Sequence, residues 1–498
     1  MIQCCNKSTL SFLIVKVLYE ILRYKLIFTI AYSILIFNMT LIKSISGIRG
    51  TIGGKPGEAL TPIDVVKFTA AFGKILLQKT GSKKIVVGRD ARLSGEMVSN
   101  LVVGTLQGIG ADVVNLGLST TPTVEIAVPM EQAAGGIILT ASHNPGQWNA
   151  LKLLNSNGEF INDQEGKEVL ALGESLDFDF AEVGDLGKET KDESYLQKHI
   201  DAVLALPLVD TEAIRQANFK IAVDAVNSTG GIFIPALLNA LGVETVYKIH
   251  CEPNGEFPHN PEPLKEHLTD LSHAVLSNNA DLGIAVDPDV DRLVFMMEDG
   301  ELFGEEYTLV AVSDYILGHT KGNTVSNLSS TRALRDVTIK HGGEYFAAAV
   351  GEVNVVTKMK EVNAVIGGEG NGGVIYPDSH YGRDALVGVA LFLSHLAKLK
   401  KTASTYRAEL PQYFMSKNKI TLTPDLDIDA LLQKMEEKYK AEQYTTIDGL
   451  KIDFENEWVH LRKSNTEPII RIYSEGPTPE AADAIAQKII REIEEIIQ

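Results

Sequence analysis

Cysteine is scarce: the 498 residues hold three, the neighbours Cys4 and Cys5 and the isolated Cys251. That leaves neither a disulfide framework nor a four-thiolate zinc site, and it makes the cytoplasm the expected compartment. Positive charge is short as well, with 46 Lys and Arg against 65 Asp and Glu and a formal net charge of −19. A general nucleic-acid binder needs a basic face to displace phosphate counterions, so that class is excluded, and any anionic ligand must meet a local basic pocket. The 18 prolines and 42 glycines are too few for a collagen-like or low-complexity chain, while 45% hydrophobic residues suffice for packed cores. No Gly-x-x-x-x-Gly-Lys loop occurs, so a kinase-like nucleotide cradle is missing. A clean membrane span is also lacking. Residues 1–38 are apolar but broken by Lys16, Glu20, Arg23 and Lys25, and the run from Leu26 reaches Ile42 only by crossing Asn38 and Thr40. A signal peptide fits poorly, because charges interrupt the apolar part and no small-x-small site follows. Residues 1–38 therefore read as a dispensable or non-native extension, with anchoring the lesser alternative, and no membrane partner is expected.

What is present is a βα rhythm. From Met39 onward, Val- and Ile-rich strands such as KKIVVGRD, ADVVNLGL and GGIILTASHNP alternate with amphipathic segments, the pattern of a parallel sheet with function at the carboxyl ends of its strands. At roughly 150 residues per domain, the length suggests three or four domains, each burying its own core. The acidic stretch from Gly173 to Glu193 reads as a solvated connection, after which FKIAVDAVNSTG and ADLGIAVDPDVDRLVFM restart the pattern. The expected units are 39–190, 191–297, 298–405 and 406–498. A last helix should begin at Thr478-Pro479 and carry Ile485, Ile489, Ile493 and Ile497 on one face. No internal repeat is evident.

Four segments could carry chemistry. In GGIILTASHNPGQWNALK an apolar strand delivers Thr140, Ser142, His143 and Asn144 into a loop closed by Pro145 and Gly146. A serine-hydrolase reading is weaker, since adjacent Ser142 and His143 point apart on an extended chain and the Gly-x-Ser-x-Gly elbow is absent. In AVDPDVDRLVF, Asp287, Asp289 and Asp291 alternate, so three carboxylates can converge on one hard cation. An EF-hand is rejected: Arg292 takes the sixth loop position, where the turn wants Gly, and both flanks are β-branched. VIGGEGNGGVIYPDSHYGRDA offers Glu369 and Asn371 among glycines that let backbone approach a ligand. HLRKSNTEPIIRIYSEG gathers Arg462, Lys463, Ser464, Asn465, Thr466 and Arg471, the composition of a phosphate pocket in an acidic protein. SGIRG and VGRDARLSG set Arg49 and Arg89 in Gly-flanked turns near strand ends.

TASHNP, DPDVDR, GEGNGG and RKSNTEP, in this order and at these separations, resemble the α-D-phosphohexomutase superfamily over about residues 39–498. The resemblance implies three related α/β domains with mixed sheets and a smaller α+β C-terminal domain around a central cleft. It implies interconversion of 6-phospho and 1-phospho sugars through a phosphoserine, one magnesium ion and a hexose 1,6-bisphosphate intermediate. On it, Ser142 bears the phosphoryl group, with His143 beside it among the catalytic candidates. Asp287, Asp289 and Asp291 hold the metal, the Ser142 phosphate completing the shell, and Arg292 closes the metal loop. Arg49 and Lys152 flank the transferring group. Glu369 and Asn371 bind sugar hydroxyls, and Arg462, Ser464, Asn465, Thr466 and Arg471 grip the non-reacting phosphate. Gly373 stands where many relatives carry histidine, and Pro288 where glycine is common. The partner implied is a small phosphosugar, the assembly a monomer or homodimer. The sugar loop resembles archaeal-type phosphoglucosamine mutases, so glucosamine 6-phosphate is the first expectation and mannose or glucose phosphates the alternative.

Overall fold

The computed structural model describes residues 39–44, 47–421, 426–463 and 469–497. The apolar extension 1–38 and the candidates Ser464, Asn465 and Thr466 lie outside the described residues. Among the described residues no helix is long and apolar enough to cross a membrane.

The first sheet holds β1 (Ile42–Ser44), β2 (Gly47–Thr51), β3 (Lys84–Arg89), β4 (Asp112–Leu118), β5 (Gly135–Leu139), β6 (Trp148–Leu154) and β7 (Glu189–Lys191), in the order β1-β2-β6-β5-β3-β4-β7. Strands β5, β3, β4 and β7 are parallel, whereas β6 runs antiparallel to β5 and β2. The second sheet orders β8 (Lys220–Asp224), β9 (Thr245–Ile249), β10 (Leu282–Val286) and β11 (Leu293–Met297) as β11-β10-β8-β9. The third orders β12 (Asn323–Asn327), β13 (Tyr345–Ala348), β14 (Ala364–Glu369) and β15 (Gly373–Ile375) as β13-β12-β14-β15. The fourth is wholly antiparallel, β16 (Phe414–Thr421), β20 (Ile469–Gly476), β19 (Trp458–Lys463), β18 (Leu450–Asp453) and β17 (Gln443–Thr445).

A repeat missed in the sequence is therefore plain in topology. The series β4-β3-β5-β6, β9-β8-β10-β11 and β13-β12-β14-β15 share one order, three parallel strands closed by an antiparallel fourth. Each time, the turn from third to fourth strand leaves the carboxyl end of a buried parallel strand, where side chains face a cleft instead of a helix layer. Those three turns are the Ser142, aspartate and Glu369 loops.

Three expectations about organisation are refined. The stretch after Gly173 is not only a connection, because β7 joins the edge of the first sheet through β4, across the expected boundary at 190. The second and third units share a core besides their own: one cluster runs from Ile200 to Leu410 through the helices Glu305–Leu317 and Ala385–Leu399, while Leu268, Leu271 and Val275 pack within the second unit and Val355, Val356 and Met359 within the third. The last helix, Pro479–Ile497, starts where expected but buries Ala482, Ala486, Ile489 and Ile493, leaving Ile497 exposed. Local chemistry sets several starts. Thr61 makes a capping box with Asp64, Thr120 caps Thr121–Met130, and Asp384 accepts from the N–H groups of Leu386 and Val387.

Candidate active site

Strand β5 is buried throughout and ends at Leu139, so the next residues emerge at the sheet's rim. There Ser142 adopts φ +49°, and its Oγ donates to Asp287 Oδ2 at 2.7 Å. The turn also corrects the expectation for His143, whose Nδ1 lies 3.4 Å from Ser142 Oγ because the chain is not extended. Burial, then the charge of Arg292, holds the His143 imidazole well below its ordinary pKa, so the ring is neutral at neutral pH.

The loop rests on an arginine that the sequence reading passed over. Arg92, with Nε paired to Asp90 at 3.0 Å, donates to four carbonyls: Ser142 at 2.5 Å, Asn144 at 2.6 Å, Pro145 at 2.7 Å and Trp148 at 3.1 Å. Arg89, singled out from the same segment, instead donates to the neighbouring Asp90 carbonyl at 3.1 Å. Arg49 is in strand β2 and not in a turn; its buried Nε has no hydrogen-bond partner.

Strands β10 and β11 form a hairpin whose turn carries Asp287, Asp289 and Asp291, all fully buried, as the rejection of an EF-hand required. Thr121 at the start of the helix Thr121–Met130 donates to Asp289 Oδ2 at 2.5 Å, and Ser228 and Thr229 donate to the Pro288 carbonyl. Val290, a β-branched residue at φ +63°, is fixed by the Ala385 N–H on its carbonyl. Arg292 donates its backbone N–H to Asp287 and its guanidinium to Glu262 at 3.2 Å. Lys152 on β6 reaches Asp289 at 2.7 Å and Asp291 at 3.3 Å.

Three buried carboxylates so close repel one another. Burial, followed by the charges of Asp291 and Asp289, pushes Asp287 well above its usual range. Burial acts the same way on Asp291, but Arg383, Lys152 and Arg292 beside it pull it well below. Asp289 Oδ1 and Asp291 Oδ1 are buried without a hydrogen-bond partner. One ligand atom from each aspartate lies within 4.8 Å of the others, so an all-oxygen set with orphaned acceptors fits a hard divalent cation. Asp224, His250 and His259 also cluster, yet His259 is already engaged, Nε2 on Asp224 at 3.1 Å and Nδ1 on the Asn260 carbonyl at 2.8 Å.

On the third loop, Glu369 accepts from Asn327 at 2.9 Å, Gly351 N–H at 3.1 Å and Arg383 at 3.0 Å, and Asn371 lies 3.4 Å from the same carboxylate. Arg383, also unremarked in the sequence, links this loop to Asp291 at 2.7 Å. Gly370 packs where any side chain would strike Glu306, a Cβ there lying 1.9 Å from its Oε2. On the fourth unit, Arg462 and Arg471 are cross-strand partners; Arg462 pairs with Asp448 at 2.8 Å, while Arg471 lies close enough to Arg49 to depress its pKa, second only to burial. The structure thus brings together Ser142, His143, Lys152, the aspartates and Arg292, joins Glu369 and Asn371 to them through Arg383, and brings Arg471 opposite Arg49.

The chain matches four family models in sequence order. They are phosphoglucomutase/phosphomannomutase α/β/α domain I over 41–179, domain II over 197–300, domain III over 304–414 and the C-terminal domain over 422–492. It is 36% identical to a phosphoglucomutase/phosphomannomutase of Thermococcus kodakarensis, over 90% of this chain and 99% of that protein. It is 32% identical to a probable phosphoglucosamine mutase of Methanopyrus kandleri, over 89% and 96% respectively. A crystal structure of a putative phosphomannomutase from Thermus thermophilus superposes with a TM-score of 0.78 at 26% identity, covering 91% of this chain and 99% of that one. The chain is a phosphohexose mutase of the phosphoglucomutase/phosphomannomutase family, within the α-D-phosphohexomutase superfamily.

Proposed function

We propose that the enzyme interconverts the 6-phosphate and 1-phosphate of a hexose by way of a phosphoserine at position 142, with glucosamine as the first hexose. The observation that carries this reading is the 2.7 Å contact between Ser142 Oγ and Asp287, which sets a phosphoryl carrier against the carboxylate triad.

A substrate hydroxyl attacks the phosphorus on Ser142, the P–Oγ bond breaks, the proton lost by that hydroxyl is made up on Ser142 Oγ, and a 1,6-bisphosphate forms. After the bisphosphate turns end for end, Ser142 Oγ gives up that proton, takes the other phosphoryl group and releases the isomer with its hydroxyl protonated. Asp287, Asp289 and Asp291, with an oxygen of the Ser142 phosphate, would hold magnesium, which supplies positive charge at the transferring group. Lys152, kept protonated by Asp289 and Asp291 despite its burial, and Arg49 add charge for the phosphoryl oxygens. Arg92 keeps the serine loop in place. Arg462 and Arg471, with Ser464, Asn465 and Thr466, would grip the phosphate that is not reacting, one grip serving both half-reactions.

The amine of glucosamine is cationic near neutral pH and favours acceptors around C2. Glu369, at the end of β14, and Glu352, at the start of the helix Glu352–Glu361, set two such acceptors beside the third loop. Mannose or glucose phosphate is the second reading, favoured by the name of the 36% identical relative. Rates with glucosamine, mannose and glucose 6-phosphates, measured side by side, decide between them. Highest kcat/KM with the glucosamine compound is expected; equal or better efficiency with mannose or glucose 6-phosphate would transfer the assignment.

A further inference from the structure

Gly373, the first residue of β15, has no side chain, and the space beside it is taken. A Cβ built on it would lie 2.3 Å from Arg383 Cδ and 3.0 Å from Arg383 Cγ. The two positions are therefore reciprocal: the arginine passes over residue 373 only because that residue is glycine. Having passed, its guanidinium is almost wholly enclosed and meets three carboxylates from three elements. Nη2 donates to Asp291 in the β10–β11 turn at 2.7 Å, and Nη1 to Glu369 at the end of β14 at 3.0 Å. Nε donates to Glu352, at the start of the helix Glu352–Glu361, at 2.8 Å. A planar, permanently charged fork suits this geometry, whereas the point charge of a lysine could serve one acceptor well. The other oxygen of Glu369 is fixed by Asn327 and the Gly351 N–H, so Arg383 completes the set that decides which way Glu369 faces.

Resting on the mutase reading above, we propose that Arg383 is a positioning residue that ties the aspartate loop to the sugar loop, fixing Glu369 for the hexose hydroxyls, and that Gly373 is required because it makes room for this guanidinium. One side chain thereby sets the separation between the phosphoryl-transferring and the sugar-recognising ends of the cleft.

The test uses the full-length enzyme with Arg383→Ala, Arg383→Lys, Gly373→Ala and the double variant Gly373→Ala/Arg383→Ala. All are assayed with magnesium on glucosamine, mannose and glucose 6-phosphates. Removing Arg383 should lower kcat/KM by about 10–100-fold, the range seen when a partner orienting a functional group is lost. Part of that loss should appear as raised KM, whereas a merely destabilised enzyme loses folded molecules and so kcat alone. Arg383→Lys should recover a minor part. Gly373→Ala should reproduce the loss, and the double variant should be close to Arg383→Ala, because the added methyl meets Arg383 Cδ at 2.3 Å and otherwise only grazes Asn371 Oδ1 at 3.1 Å. Calorimetric titration of the chelated, magnesium-free protein with the best of the three hexose phosphates gives a readout apart from turnover, and binding there should also weaken in Arg383→Ala. Should that variant fail to fold, Gly373→Ala and Arg383→Lys carry the same comparison. Wild-type KM in these variants, or losses that multiply in the double variant, would overturn the proposal. A wild-type enzyme inactive on all three phosphates would instead overturn the mutase reading.

Discussion

Ser142 sits at φ +49°, a conformation that costs a non-glycine residue on the order of 1–3 kcal/mol and persists only when its surroundings impose it. Thr140 Oγ1 accepts the Ser142 N–H at 2.9 Å and Arg92 holds the carbonyl, so the twist that turns Oγ toward Asp287 is fixed from both sides. Ser142→Ala should abolish mutase turnover while leaving the fold intact, and phosphopeptide mapping should find phosphate on Ser142 of the active enzyme; full activity with an unmodified serine would refute the assignment. Arg92→Lys replaces a fork serving four carbonyls with a point charge, and a displacement of the loop by about 1 Å can cost roughly 100-fold in rate. A loss of that order in kcat is expected from steady-state kinetics, and an unchanged rate would mean that the loop holds its own shape. Nothing in VGRDARLSG tells Arg89 from Arg92 by spacing. The available signal was Asp90, two residues before Arg92, which can pair with it and carry the guanidinium inward. Arg383 was equally silent, because its meaning comes from Gly373 on the neighbouring strand and from Asp291 in the turn of another sheet.

The loops were legible and the sheets that hold them were less so. Phosphoryl transfer restricts which residue types a loop can carry, so TASHNP, DPDVDR and GEGNGG stand out from the chain, whereas a buried parallel strand is specified by apolar character that many sequences satisfy. The thrice-used strand order left no visible repeat for that reason. Nor could spacing show that β7 would reach the sheet edge from within an acidic stretch. The third loop shows how an element constrains its neighbour. Gly370 brings its backbone onto Glu306, in the first turn of the helix Glu305–Leu317, and burial pushes that carboxyl up to about 8. Glu306 is therefore protonated in the folded protein at neutral pH while its unfolded counterpart, near 4.5, is ionised. The folded state binds the extra proton, so this group makes stability fall as pH rises from about 4.5 to about 8. Glu306→Gln keeps the acceptor for the Thr331 N–H and removes the titration. Urea midpoints of the variant and wild type should be close at pH 5 and diverge in favour of the variant by pH 9; a gap that does not grow with pH would show that Glu306 ionises without cost.

At the scale of the molecule, the cleft is closed by polar contacts between units. The Ala385 and Leu293 N–H groups pair with Val290 and Gly372, Thr121 with Asp289, and the Arg332 N–H with Glu475 on β20. One meeting between units is repulsive. Arg49 of the first sheet and Arg471 of the fourth act on each other as like charges, and the buried Arg49 Nε has no acceptor. Like charge between these two guanidinium groups disfavours the approach of the C-terminal unit to the first, and a phosphate between them would reverse the sign of that term. Ligand binding to the folded state adds stability by mass action, about 2.7 kcal/mol at a hundredfold excess over Kd. Glucose 1,6-bisphosphate should therefore raise the melting temperature and reduce the radius of gyration in solution scattering. Arg471→Ala should lose most of both effects while unfolding, without ligand, at or slightly above the wild-type temperature, because the variant relieves the repulsion. High salt should weaken the ligand effect in the wild type, since exposed Arg471 is screened. If Arg471→Ala responded to the bisphosphate as fully as wild type, the like-charge pair would have no part in closing the cleft.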